Sequence, residues 1–190
     1  ERDLQGHWAE AYMELLADKG IISGYGNGLF RPDAIVTRAE FASMVNKAFG
    51  FTKTSKKDFR DVNINAWYAE AISIAVTQGY LQGVGNNLIT PEASLTREQA
   101  AVIIGKVMQL PVNSGKTQFT DDAEISPWAE NMVAAVSAAG YIKGFNGYFR
   151  PKDYITRGEV AAVLCQALGQ VYNLAGVYDG KGQTITGNVT

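Results

Sequence analysis

At 190 residues, with 46% hydrophobic and 19% charged side chains, the chain is long enough for a well-buried core and has the balance of an ordinary folded domain. A net charge of −2 without any basic run excludes the electrostatic footprint of a nucleic-acid binder, and no apolar stretch approaches the roughly 20 residues that span a bilayer. The only thiol, Cys165, forms no internal disulfide and reads as a small hydrophobe beside the apolar run Val160–Leu164.

The first residues, Glu1-Arg2-Asp3, carry no signal-peptide pattern, a start compatible with removal of one. Trp8-Ala9-Glu10 then opens an expected helix with apolar residues at Trp8, Ala11, Tyr12, Leu15 and Leu16. Gly20 stands where a left-handed residue ends it. The glycine-rich stretch Gly24–Pro32 reads as a tight ordered turn. Thr37-Arg38-Ala39-Glu40 has the form of a capping box that starts a second helix, expected to end near Gly50.

The same order returns twice. Trp67 and Trp128 repeat the helix start, with Ser126 as cap and Pro127 at the first position in the third copy. Gly79 and Gly140 repeat the stop, Gly83–Pro91 and Gly144–Pro151 repeat the loop, and Thr96-Arg97-Glu98-Gln99 and Thr156-Arg157-Gly158-Glu159 repeat the capping box. The second helices are expected to end before Pro111 and near Gly169. The three threonines are 59 and then 60 residues apart. A period this steady marks a repeated structural unit. The repeats occupy residues 1–51, 58–110 and 118–171, and one repeat cannot bury its own apolar face, so the three are expected to form one domain. Residues 172–190 leave the pattern; Tyr178–Gly182 and Thr184-Ile185-Thr186 read as a turn and strand, either a C-terminal extension packed on the last helix or the start of a β-domain.

Capping accounts for the threonines but not for Arg38, Arg97 and Arg157. A cation in the first helical turn opposes the helix dipole by ~0.3–1 kcal/mol. Three at one register call for a compensating partner: an anionic ligand at the helix N-terminus, or a protein carboxylate from a neighbouring repeat.

These motifs resemble the S-layer homology family: an aspartate and Trp-Ala opening each repeat, a Gly-rich loop ending in Phe-Arg-Pro, and Thr-Arg-Ala-Glu opening the second helix. The resemblance covers about residues 1–171. It implies an all-α, pseudo-threefold assembly of helix–loop–helix repeats around a central bundle, with grooves between neighbours. It also implies non-covalent anchoring of a surface protein, outside a Gram-positive-type cell, to a secondary cell-wall polysaccharide bearing pyruvylated N-acetylmannosamine. By the same resemblance Arg38, Arg97 and Arg157 grip the pyruvyl carboxylate in a bidentate way. Loop amides around Gly24, Gly83 and Gly144 add donors, and Asn27, Asn86 and Asn146 meet sugar hydroxyls. Trp8, Trp67 and Trp128 offer a flat wall to a pyranose, although core packing is the first expectation for them. Asp3, Asp61 and Asp121 are expected to bond backbone or a neighbouring arginine before any ligand.

The second copy departs from the motif with Gln99 for glutamate and Leu88-Ile89-Thr90 for the Phe-Arg loop, and the third has Gly158 for alanine. The three grooves are therefore not expected to be equivalent. The alternative reading is a lattice or self-assembly module that binds no glycan. Catalysis is not expected: no carboxylate pair stands apart from the repeat pattern, and the single His7 leaves no histidine cluster for zinc and no Ser/His/Asp arrangement. No cofactor or metal is implied.

Overall fold

The structure, a computed structural model, describes residues 2–112, 115–172, 177–178 and 184–185. Six α-helices form among them: α1 (Glu10–Asp18), α2 (Arg38–Phe49), α3 (Ala69–Gln78), α4 (Arg97–Val107), α5 (Pro127–Ala138) and α6 (Arg157–Tyr172). The capping boxes are real in all three copies. The hydroxyls of Thr37, Thr96 and Thr156 accept from the backbone N–H of Glu40, Gln99 and Glu159, whose side chains accept from the threonine N–H in return. Gly20, Gly79 and Gly140 follow the first helices with φ of 73°, 81° and 80°, the left-handed conformation that glycine adopts without strain.

Helices do not pair within a repeat. Each second helix packs on the first helix of the next repeat: α2 on α3, α4 on α5, and α6 back on α1. The three crossings occur at one register. Asn46 donates to the Ala71 carbonyl, Gly105 leaves room for the Met132 side chain, and the Cys165 thiol approaches the Tyr12 carbonyl at 3.6 Å. Burial pushes the Cys165 thiol up to about 12, so it packs as a hydrophobe rather than ionising.

At the centre the residues just before the capping boxes close a ring. Leu95 N–H donates to Val36, Ile155 N–H to Leu95, and Val36 N–H to Ile155, at 3.2, 2.9 and 3.1 Å. All three side chains are fully buried. This triangle is the pseudo-threefold axis, and it explains why the repeats must come in threes: each satisfies the backbone of another.

Two expectations change. Helix α6 runs through Gly169 to Tyr172 rather than stopping there. A glycine inside a helix costs only about 1 kcal/mol, so the signal was permissive. The tail forms a two-residue antiparallel pair, β1 (Val177–Tyr178) with β2 (Thr184–Ile185), and β1 lies alongside α1, the first helix rather than the last. Of the expected Tyr178–Gly182 turn, residues 179–182 lie outside the described residues.

Candidate ligand-binding grooves

Each groove is built from a loop held by an aspartate. Asp3 accepts from the backbone N–H groups of Phe30 and Arg31, Asp61 from Ile89 and Thr90, and Asp121 from Phe149 and Arg150. Both carboxylate oxygens are thus spent on two consecutive amides. The second residue of each pair is left-handed, with φ of 51° at Arg31, 49° at Thr90 and 61° at Arg150. None is glycine, and Thr90 is β-branched, so the conformation is strained and the aspartate clamp holds it. The backbone N–H of Phe30 keeps the Asp3 carboxyl below its ordinary range.

The glycines earlier in the loop have a packing reason. A Cβ on Gly24 would lie 3.1 Å from the Leu29 carbonyl, one on Gly83 3.1 Å from the Phe59 ring, and one on Gly144 2.6 Å from the Phe119 ring. Phe59 and Phe119 share one register, a detail hidden in the sequence until the repeats are superposed. The asparagines serve the turn. Asn27 accepts from Leu29 N–H, while Asn86 and Asn146 take left-handed φ of 53° and 51°. All three are exposed.

The arginines reach forward by one repeat. Arg38 donates through Nε to the Ile89 carbonyl and through Nη2 to Gln82, at 3.0 Å each. Arg97 does the same to Phe149 and Lys143, and Arg157 to Phe30 and Ser23. In all three, the Nε/Nη2 edge braces the next repeat's loop, so the cation's first-turn position is offset by two carbonyl oxygens. The helix amides are spent as well. Arg38 and Ala39 N–H donate to Ala93 and Pro91, Arg97 and Glu98 to Asp153 and Pro151, and Arg157 and Gly158 to Ala34 and Pro32. Backbone donors at the helix N-terminus therefore leave no cradle for an anion. What remains in each groove is the outer guanidinium edge, Nη1 and the second Nη2 hydrogen.

That edge has three different fates. Arg97 is 3% exposed and pairs through Nη1 with Glu159, which also takes Arg150 at 3.0 Å. Burial lowers the Arg97 affinity for its proton and Glu159 works against that loss. Arg157 is 6% exposed, with its Nη1 3.9 Å from Glu40. Arg38 is half-buried and has no carboxylate within ion-pair distance among the described residues; the acid whose charge acts on it is Asp61, already committed to its loop. Protein carboxylates between repeats thus answer the arginine question for two copies and leave it open for one.

The tryptophans overturn the core-packing expectation. Trp8, Trp67 and Trp128 are 47%, 66% and 62% exposed. Ala9, next to Trp8, abuts Gly158, where a Cβ would come within 3.0 Å of it, which explains the glycine in the third motif. Ser126, two residues before Trp128, is held by Glu98 and Lys152, and Lys152 reaches Glu98 at 2.6 Å. Lys57 lies over the Phe59 ring and makes no ion pair among the described residues. Among those residues no group of three metal-ligating side chains gathers, and no helix is long and apolar enough to cross a membrane.

The family model for the S-layer homology domain matches residues 2–42, 58–101 and 118–161, three tandem copies that together span most of the chain. The chain belongs to the S-layer homology family. It is 35% identical over 179 residues to the exoglucanase XynX of Acetivibrio thermocellus, covering 90% of this chain and 16% of that protein. It is also 35% identical over 179 residues to an amylopullulanase of Thermoanaerobacterium thermosulfurigenes, covering 90% and 10%. Against the surface-layer 125 kDa protein of Lysinibacillus sphaericus it is 32% identical over 168 residues, covering 86% and 14%. The chain therefore spans only about a tenth to a sixth of these relatives, and their enzyme names describe proteins far longer than the matched segment. Such an S-layer homology module belongs to the extracellular cell wall or S-layer of Gram-positive-type bacteria, where it supports cell-surface anchoring.

Proposed function

We propose that this S-layer homology module anchors its parent protein by binding pyruvylated secondary cell-wall polysaccharide in the inter-repeat grooves. The observation that carries the reading is the outer guanidinium edge of Arg38, turned from its two loop carbonyls and without an acid of its own. A pyruvyl ketal supplies a carboxylate on a sugar, and a guanidinium edge recognises it through charge-assisted hydrogen bonds. The exposed indoles suit the apolar face of a pyranose, and the Gly24, Gly83 and Gly144 amides are unspent on protein acceptors among the described residues. Single sugar contacts of this kind are weak, and a repetitive polymer gains by effective concentration.

The net charge of −2 does not draw an anionic polymer to the surface at large, so recognition is local. Purified module is expected to co-sediment with cell-wall sacculi that retain their polymer and to be lost when pyruvylation is removed. Retention equal on depyruvylated sacculi would reject the carboxylate account, whereas no retention together with concentration-dependent association without glycan would favour the assembly alternative, in which the arginines serve contacts between copies.

A further inference from the structure

At one atom the groove between repeats 1 and 2 differs from both of the others. In each capping box the Oε1 of the third residue accepts from the threonine N–H. The remaining oxygen, Oε2, of Glu159 and of Glu40 is what meets the guanidinium of the preceding repeat. At that register the second repeat carries Gln99, whose remaining atom is an amide nitrogen. An amide N–H₂ donates and cannot accept, so it offers nothing to a guanidinium. The residue keeps its local duty, since its capping box is complete, and drops only the carboxylate.

Building on the wall-binding reading, we propose that the capping acids act as resident substitutes for the ligand's carboxylate. On this assignment the module has one open groove, between repeats 1 and 2, and Gln99 is the residue that opens it. The 2–3 groove is shut: Glu159 bridges Arg97 and Arg150 with both Arg97 and Glu159 largely shielded. The 3–1 groove is closed more loosely, by a 3.9 Å contact to a quarter-exposed Glu40. The ligand class at the open groove is a monocarboxylated sugar, which takes the place that Glu159 holds one repeat further on.

Titration calorimetry with a methyl glycoside of 4,6-pyruvylated N-acetylmannosamine tests this. Wild-type chain is expected to bind one molecule. Gln99→Glu, which keeps the capping box, is expected to weaken binding by about 10- to 100-fold, the size of one charge-assisted hydrogen bond. Glu40→Gln, which copies the natural residue 99, is expected to raise the stoichiometry to two. Far-UV dichroism and melting of each variant check that the helices persist, and Glu40→Gln keeps the test alive should Gln99→Glu fail to fold. Two or three sites in wild type, or unchanged affinity in a folded Gln99→Glu, would overturn the one-groove assignment and leave wall binding standing. No binding by wild type would instead overturn the wall-binding reading itself.

Discussion

Replacing the loop aspartates by alanine is a direct test of how the grooves are built. Asp121 is buried and accepts from Phe149 and Arg150 N–H at 2.8 Å each. Its removal strands two amides, one on a fully buried residue, and each stranded group costs about 1–3 kcal/mol. Because Arg150 is exposed and its amide rehydrates in part, the expected loss is about 2–4 kcal/mol. Asp3, near the chain start, is expected to cost less than Asp121, with Asp61 in between. Urea denaturation followed by far-UV dichroism gives the three values. If Asp3→Ala costs more than Asp121→Ala, or if Asp121→Ala costs under about 1 kcal/mol, the clamp does not hold the loop and the reasoning fails. The series also has a functional arm. Asp61→Ala loosens the loop whose Gln82 and Ile89 carbonyls orient Arg38, so it is expected to weaken glycan binding without a contact of its own.

Other outcomes follow from the same geometry. Arg97→Ala removes a loop brace and leaves the shielded Glu159 with Arg150 alone, so it is expected to destabilise more than Arg38→Ala, which strands the Ile89 and Gln82 carbonyls but no acid, at about 1–3 kcal/mol, and abolishes binding; equal destabilisation would contradict the difference between the grooves. The Asp3 and Asp122 carboxyls are held below the ordinary 3.8, by the Phe30 amide and by Thr117 respectively. A depressed folded-state value contributes stability that is full above 3.8 and is lost as pH falls through the lower one, so acid should destabilise the domain below about pH 4, and Asp122→Asn should flatten that slope. Gly144→Ala should destabilise more than Gly24→Ala, since its Cβ meets the Phe119 ring at 2.6 Å rather than the Leu29 carbonyl at 3.1 Å; similar melting points would count against it. Cys165, with a thiol pushed up to about 12, should resist a thiol reagent until the protein unfolds, and rapid native labelling would show the α1–α6 crossing to be open.

Much of this was legible in the sequence because capping, glycine stops and period are local signals. The threonine boxes, the helix order and the three unequal copies could be read from neighbours within one turn of helix. The grooves could not. Arg157 meets Phe30 across 127 positions, and Arg97 meets Glu159 across 62, contacts that exist only once the repeats close in a ring. Gln99 was visible as a departure, yet its meaning depended on which repeat's arginine it faces. The tryptophans misled for a different reason. Tryptophan is apolar enough for a core, and nothing local distinguishes a buried indole from an exposed one. Gly169 reads locally as a stop, although a helix of sufficient packing carries glycine through.

The central claim is that Arg38 meets a carboxylate brought by the ligand. A crystal structure of the module soaked with the pyruvylated monosaccharide tests it most directly. The pyruvyl carboxylate is expected at about 2.7–2.9 Å from Arg38 Nη1, with the Nε and Nη2 bonds to Ile89 and Gln82 retained. A sugar bound elsewhere, or one whose carboxylate faces solvent while Arg38 stays empty, would contradict the account.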